Sequence, residues 1–229
     1  MTQSQKGFAA VLFDLDGTLA DTAPDLGYAV NQQRLARSMP ELSIEDVRSH
    51  ASSGARGLLK IGFDMTPDDP GYEAMRDEFL DIYEKNLARS SGLFPGVASL
   101  LAQIEQRGMD WGIVTNKAER FTFPLLRALG LLERSRVVIC GDTTPHPKPH
   151  PAPLLAAADK IGVAATNCLY VGDDERDVQA GQAAGMPVIV ARYGYLGNGK
   201  PPESWGADGY IDSPMELLDF LSDGARRAI

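Results

Sequence analysis

The chain has 229 residues, 44% of them hydrophobic, enough for one sizeable core or for a core with a small accessory domain. Lys and Arg total 22 against 31 Asp and Glu, a formal net charge of −9, which argues against nucleic acid or an anionic membrane as partner. An anionic substrate would have to be drawn locally, by a metal ion, a few placed cations and backbone N–H groups. The run FAAVLF, holding the strand candidate Ala10–Phe13, is broken at once by Asp14 and Asp16. It is too short for a signal segment or a membrane span, which predicts a soluble, cytosolic protein.

From 21 to 91 no convincing strand run occurs, and helical patterns take over. In GYEAMRDEFLDIYEKNL, Met75, Phe79, Ile82 and Tyr83 share one face, and Asp81 with Lys85 forms an i, i+4 pair. After Phe94-Pro95-Gly96 the alternation of helix and strand resumes. Val97, Leu100, Leu101 and Ile104 mark a helix that stops at Gly108, and Trp111–Thr115 is a strand. Leu125, Leu126 and Leu129 before Gly130 mark another helix, followed by strand candidates Val137–Cys140, Cys168–Val171 and Val188–Ala191 and by a helix ending near Gly185. Ser213-Pro214-Met215-Glu216 reads as a capping box with proline at the first helical position. Cys140 and Cys168 sit inside apolar runs without metal-ligand spacing and are expected to be buried, reduced thiols. The pattern predicts an α/β fold: a Rossmann-like doubly wound parallel sheet core, residues 1–20 and 92–229, with an α-helical cap domain, 21–91, inserted after the first strand. Such a cap would cover the carboxyl ends of the strands, where ligands bind in open α/β sheets.

The strongest chemical signal is Phe13-Asp14-Leu15-Asp16-Gly17-Thr18 at the end of the first strand. Two carboxylates so close repel unless a cation or proton lies between them. Thr115-Asn116 ends the second core strand with a hydroxyl, an amide and N–H groups suited to phosphoryl oxygens. Lys148 stands in HPKPHP, a cation held between prolines, and Gly172-Asp173-Asp174-Glu175-Arg176-Asp177 follows the fourth strand. A helix N-terminus explains Asp174 and Glu175 but explains Asp173 less well. Together these residues share one edge of one sheet. Oxygen ligands of this kind suit Mg²⁺, and a metal and a lysine around a carboxylate nucleophile are the equipment of phosphoryl transfer.

The four motifs DLDGT, TN, KPHP and GDDERD, in that order, resemble those of the haloacid dehalogenase superfamily of phosphatases, over essentially the whole chain. The resemblance implies that Asp14 is the nucleophile and becomes a phosphoaspartate, and that Asp16 acts as general acid and then general base. Thr115 and Asn116 would hold the transferring group, and Lys148 would offset its charge. Mg²⁺ would bind the side chains of Asp14 and Asp173 and the main-chain carbonyl of Asp16, with Asp177 in support of a metal-bound water or of Lys148. DTAPD, TNK, KPHPAPLL and YGY are similar to the phosphoglycolate phosphatase group, which implies hydrolysis of 2-phosphoglycolate. SSGARGLL, WGIVTNKAERF, VGDDERD and WGAD are similar to the N-acetylmuramic acid 6-phosphate phosphatases of cell-wall recycling, the alternative reading. Either substrate is a small phosphorylated metabolite bearing a carboxylate. Arg56, between Gly54 and Gly57, is the candidate for holding that carboxylate. Asp16 argues against dehalogenation, and neither Lys60 nor Lys85 has the surroundings of a Schiff-base lysine. A sugar-phosphate mutase and a non-catalytic binding module are less favoured, and no catalytic residue is missing. His50, His146 and His150 are expected to be structural or solvated.

Overall fold

Short apolar runs become the strands of one parallel sheet in the computed structural model, which describes residues 7–197 and 199–222. In chain order the elements are β1 (Ala10–Phe13), β2 (Ala20–Asp21), α1 (Ala23–Ala36), α2 (Ile44–Ala51), α3 (Gly54–Phe63), α4 (Tyr72–Lys85) and β3 (Gly92–Leu93). There follow α5 (Val97–Gln106), β4 (Asp110–Val114), α6 (Glu119–Ala128), β5 (Val137–Ile139), α7 (Ala152–Ile161) and β6 (Cys168–Gly172). The chain then forms α8 (Glu175–Ala184), β7 (Val188–Ala191), β8 (Gly209–Ile211) and α9 (Leu217–Phe220).

The sheet order is β5-β4-β1-β6-β7-β8, and all its neighbours are parallel. From β1 the chain builds outward through β4 and β5, then returns to build the other side through β6, β7 and β8. β1 therefore ends at the topological switch point, beside the crevice that such sheets offer to ligands. Alternate residues of each strand face opposite layers. Val11, Phe13, Ile113 and Val171 pack with Leu101 and Ile104 of α5 and Leu125 of α6. Leu12, Val114, Tyr170 and Val188 pack with Leu154 and Ala157 of α7 and Val178 of α8. Burial on both faces is why these strands read as unbroken apolar runs.

The five strands expected in this sheet are present within a residue of their bounds, and β8 is an addition: its three residues carry too little pattern to be seen alone. At the C-terminus the expected capping box is built differently. Ser213 Oγ donates to Glu216 Oε1 at 3.0 Å, and Glu216 Oε2 accepts from Asp212 N at 2.9 Å. The segment opens as a 3₁₀ turn, and Ser213 caps no backbone N–H. Cys140 and Cys168 are buried and unpaired.

Helices α1–α4 lie between β2 and β3, which pair antiparallel through Ala20 with Leu93 and Asp21 with Gly92. This short ribbon carries both chain crossings of the insert. Asp25, fully buried on α1, accepts from Ser90 N at 2.8 Å and from Ser91 N and Oγ at 3.0 and 2.6 Å, tying the outgoing to the returning strand. The insert has its own apolar cluster, in which Leu26, Val30, Val47, Leu58, Phe79 and Tyr83 pack together and reach Phe121 of α6 and Tyr195. Among the described residues the ion pairs of the insert include Arg37–Glu78 and Lys60–Asp64, not the expected Asp81–Lys85. No described helix is long and apolar enough to cross a membrane.

Candidate active site

Asp14 follows β1 directly, and its N–H still bonds Val171 O at 2.9 Å, so the sheet itself aims the residue into the crevice. The chain then turns through Gly17 at φ +87°, where a Cβ would come within 2.1 Å of Asp173 Oδ2. Gly194 approaches from the other side, with space for a Cβ only 2.4 Å from Asp173 Cβ and from Gly17 O. Asp173, fully buried past β6, is thus clamped. Its Oδ1 accepts from Thr18 Oγ1 at 2.9 Å and its Oδ2 from Tyr195 N at 2.8 Å. Tyr195 in turn accepts from Thr22 N and Ala23 N at the start of α1 and donates to Asp21, so one side chain joins this loop to the base of the helical insert.

Lys148 is 4% exposed, and its Nζ lies 2.8 Å from Asp14 Oδ1 and 2.7 Å from Asp177 Oδ1. It also donates to Tyr170 Oη at 2.9 Å and to Val114 O at 3.0 Å. Asn116 fixes the lysine's main chain in both directions: its Nδ2 donates to Lys148 O and its Oδ1 accepts from Lys148 N, each at 2.9 Å. This corrects the expectation that the Asn116 amide faces phosphoryl oxygens, since both ends of that amide are committed to the lysine loop. Thr115 is buried at the end of β4 and its Oγ1 accepts from Lys117 N at 3.1 Å.

Asp14, Asp173 and Asp177 bring carboxylate oxygens within 4.8 Å of one another. Burial, opposed by Lys148, pushes the Asp14 carboxyl up from 3.8 to about 7. Burial and then the neighbouring Asp14 and Asp177 hold Asp173 well above the carboxylate range. Burial works to lower the Lys148 ammonium, but Asp14 and Asp177 outweigh it and raise it. Among the described residues Asp14 Oδ1 has the Lys148 ammonium at 2.8 Å and no other donor. Three crowded, dehydrated carboxylates beside a single ammonium fit a hard divalent cation. Asp177 is the least available of the three, with Oδ1 held by Lys148 and Tyr170 and Oδ2 by Asp174 N. The side chain of Asp16 lies outside this trio, and its Oδ1 accepts from Lys117 Nζ at 2.9 Å and from Thr22 Oγ1.

A cavity of about 400 Å³ opens from these residues into the helical insert. Asp14, Asp16, Lys117 and Lys148 line its floor, and Ser52, Phe79 and Tyr83 line its roof. Arg56 is not brought to it: α3 buries Gly57, Leu58, Leu59 and Gly62, which turns Arg56 to solvent. Besides Lys148, the cations at the cavity are Lys117, Arg120 and Arg176. Arg176 bonds Asp174 and reaches across to Ser52 O at 2.6 Å. Sequence reasoning assigned no role to Lys117, Thr18, Tyr170, Arg176 or Tyr195. The DLDGT, TNK, GDDERD and YGY strings contain Thr18, Lys117, Arg176 and Tyr195, and only Tyr170 lies outside them.

The model of haloacid dehalogenase-like hydrolases matches residues 11–191. The chain is 43% identical over 212 residues to the N-acetylmuramic acid 6-phosphate phosphatase of Pseudomonas aeruginosa, covering 93% of this chain and 94% of the relative. It is 48% identical over 210 residues to the phosphoglycolate phosphatase of Xanthomonas campestris pv. campestris, covering 92% and 95%. The crystal structure of a predicted phosphoglycolate phosphatase from Haemophilus somnus superposes with a TM-score of 0.83 at 28% identity, over 94% of this chain and 98% of that one. With the motifs at one sheet edge and these likenesses across nearly its whole length, the chain belongs to the haloacid dehalogenase-like hydrolase family.

Proposed function

We infer that the chain is a phosphatase that hydrolyses a small phosphate monoester through a phosphoaspartate at Asp14. The observation that carries this reading is the Asp14 carboxylate at the switch point, backed by Lys148 at 2.8 Å and followed two residues on by Asp16 at the cavity. Asp14 attacks phosphorus as the ester P–O bond breaks, and Asp16 gives its proton to the departing alkoxide. Asp16 then takes a proton from water, whose oxygen attacks phosphorus and breaks the bond to Asp14, releasing phosphate. Lys117 and Thr22 hold the Asp16 carboxyl in place for both steps. Lys148 offsets charge beside Asp14, and Thr115 with the main chain of Asn116 receives the phosphoryl oxygens. Asp14 and Asp173 would hold Mg²⁺ together with the Asp16 main-chain carbonyl, Asp177 acting through Lys148. When bound, the ion supplies charge neutralisation to the transferring group.

We read residues 21–91 as a cap over the sheet's carboxyl edge, with 1–20 and 92–229 as the core. Two substrates follow from the relatives' names, 2-phosphoglycolate and N-acetylmuramic acid 6-phosphate. The cavity favours the second. Its volume of about 400 Å³ falls in the range of sites that enclose drug-sized ligands, whereas phosphoglycolate has only about nine non-hydrogen atoms. The test is turnover of 2-phosphoglycolate, N-acetylmuramate 6-phosphate, glucose 6-phosphate and phenyl phosphate, each with Mg²⁺ and with chelator. Activity should require the metal, and the amino-sugar acid should have the highest kcat/KM. Metal-independent activity, or none on any ester, would overturn the reading.

A further inference from the structure

The roof of the cavity contains two buried hydroxyls that the chemistry above leaves unused. Tyr83 on α4 is 2% exposed, and among the described residues its Oη makes no hydrogen bond of ordinary geometry, although the Lys117 ammonium stands beside the phenol. Ser52, just past α2, buries its Oγ with no hydrogen-bond partner among the described residues. Both residues line the cavity. Tyr83 is fixed there from three sides. Its ring stacks on Phe79 at 6.3 Å between centroids, tilts against Phe121 of α6 at 5.5 Å, and carries Lys117 Nζ 4.8 Å from its centroid. Ser52 is fixed through its carbonyl, which accepts from Arg176 Nη2. Ring packing beside Lys117 holds Tyr83 at the cavity wall, and the Arg176 bond to its carbonyl holds Ser52, which leaves both hydroxyls facing the cavity.

A hydroxyl at a cavity wall that the protein leaves free bonds whatever fills the cavity, water in the free protein and a substituent of the substrate in the complex. Burial pushes the Tyr83 phenol up, against the pull of Lys117, so at neutral pH the group is an uncharged donor and acceptor. The surrounding wall of Leu26, Phe79, Leu80 and Phe121 is apolar. An apolar wall with a few fixed neutral polar points suits an alcohol of sugar size with hydroxyl or amide groups. A two-carbon acid held at Asp14 would not fill it.

We propose that Tyr83 Oη and Ser52 Oγ are specificity-determining groups that hydrogen-bond the uncharged hydroxyl or amide substituents of a sugar-sized leaving alcohol. This rests on the phosphatase reading and adds to it the class of alcohol and the residues that select it. The neutral pair and the cations take different parts of such an alcohol, since Arg120 and Arg176 at the same cavity are the groups suited to a carboxylate on it.

Tyr83→Phe and Ser52→Ala remove only the two oxygens. The measurements are kcat/KM for N-acetylmuramate 6-phosphate, 2-phosphoglycolate and phenyl phosphate, with the melting temperature of each variant. Tyr83→Phe should melt at the same temperature as the parent or higher, because it deletes an unpaired buried group. Its kcat/KM for the amino-sugar ester should fall about tenfold, chiefly through KM, because the bond is made to bound substrate and transition state alike. The other two esters should change less than about twofold, and Ser52→Ala should show the same ranking. Equal changes on all three esters would overturn the proposal, as would a lower melting temperature for Tyr83→Phe, which would mean that the hydroxyl already has a partner in the protein. A parent enzyme that hydrolyses phenyl phosphate and phosphoglycolate but no sugar-sized ester would overturn the proposal and leave the phosphatase reading standing. No activity on any ester would overturn that reading itself.

Discussion

In Asp14→Asn a carboxylate gives way to an amide of nearly equal volume, while Lys148 keeps its contact with Asp177 at 2.7 Å. The buried carboxyl of Asp14 is raised from 3.8 to about 7 in the folded protein without metal. Between those values the folded state holds a proton that the unfolded chain has released, so this group lowers stability as pH rises from about 4 to 7. At about 1.36 kcal/mol per pH unit the whole interval amounts to about 4 kcal/mol at pH 8, which sets the ceiling for relief by the neutral amide. A gain of about 2–4 kcal/mol corresponds to roughly 5–10 °C in melting temperature for a chain of this size. The assay is thermal unfolding in chelator at pH 5 and pH 8. The parent should lose stability between the two, and the variant should lose less and melt higher at pH 8. Asp173, also raised by burial, leaves a residual slope in both proteins. Mg²⁺ should restore the parent at pH 8 by binding the ionised carboxylates. Turnover of phenyl phosphate should vanish in the same variant, because an amide is a poor nucleophile. A variant less stable than the parent at pH 8, or an identical pH slope in both, would refute the reasoning.

Lys148→Ala strips a cation in contact with both Asp14 and Asp177, and kcat/KM should fall by roughly two to three orders of magnitude; a loss below tenfold would mean that the lysine is not the charge partner of the transferring group. Asp25→Ala leaves the N–H groups of Ser90 and Ser91 and the Ser91 hydroxyl without their acceptor, and urea unfolding should show a loss of about 2–3 kcal/mol. A loss under about 0.5 kcal/mol would show that water replaces the carboxylate at the base of the insert.

Local pattern was enough for the five expected core strands and for the positions of Asp14, Thr115, Lys148 and Asp173, because a strand buried on both faces must be apolar along its length and its polar sequel marks where it ends. Strand–helix alternation then implied one sheet edge for all four. Other features depended on contacts between segments distant in sequence. Lys117 meets Asp16 across 101 residues, and Tyr195 meets Thr22 across 173. Such pairs leave no periodic trace. Asn116 could be located but not oriented, since whether its amide turned to phosphate or to Lys148 depended on how closely the two loops approach. Arg56 had glycines near it in the sequence, yet the packing face of α3 turned it outward. Tyr83 shows the division within one residue. Helical spacing with Phe79 put its ring on the apolar face, as the amino-acid order alone required. Only the meeting of α4 with α6 over the sheet edge carried its hydroxyl to the cavity wall, because a hydroxyl's surroundings are set by the elements packed around it and not by its neighbours along the chain.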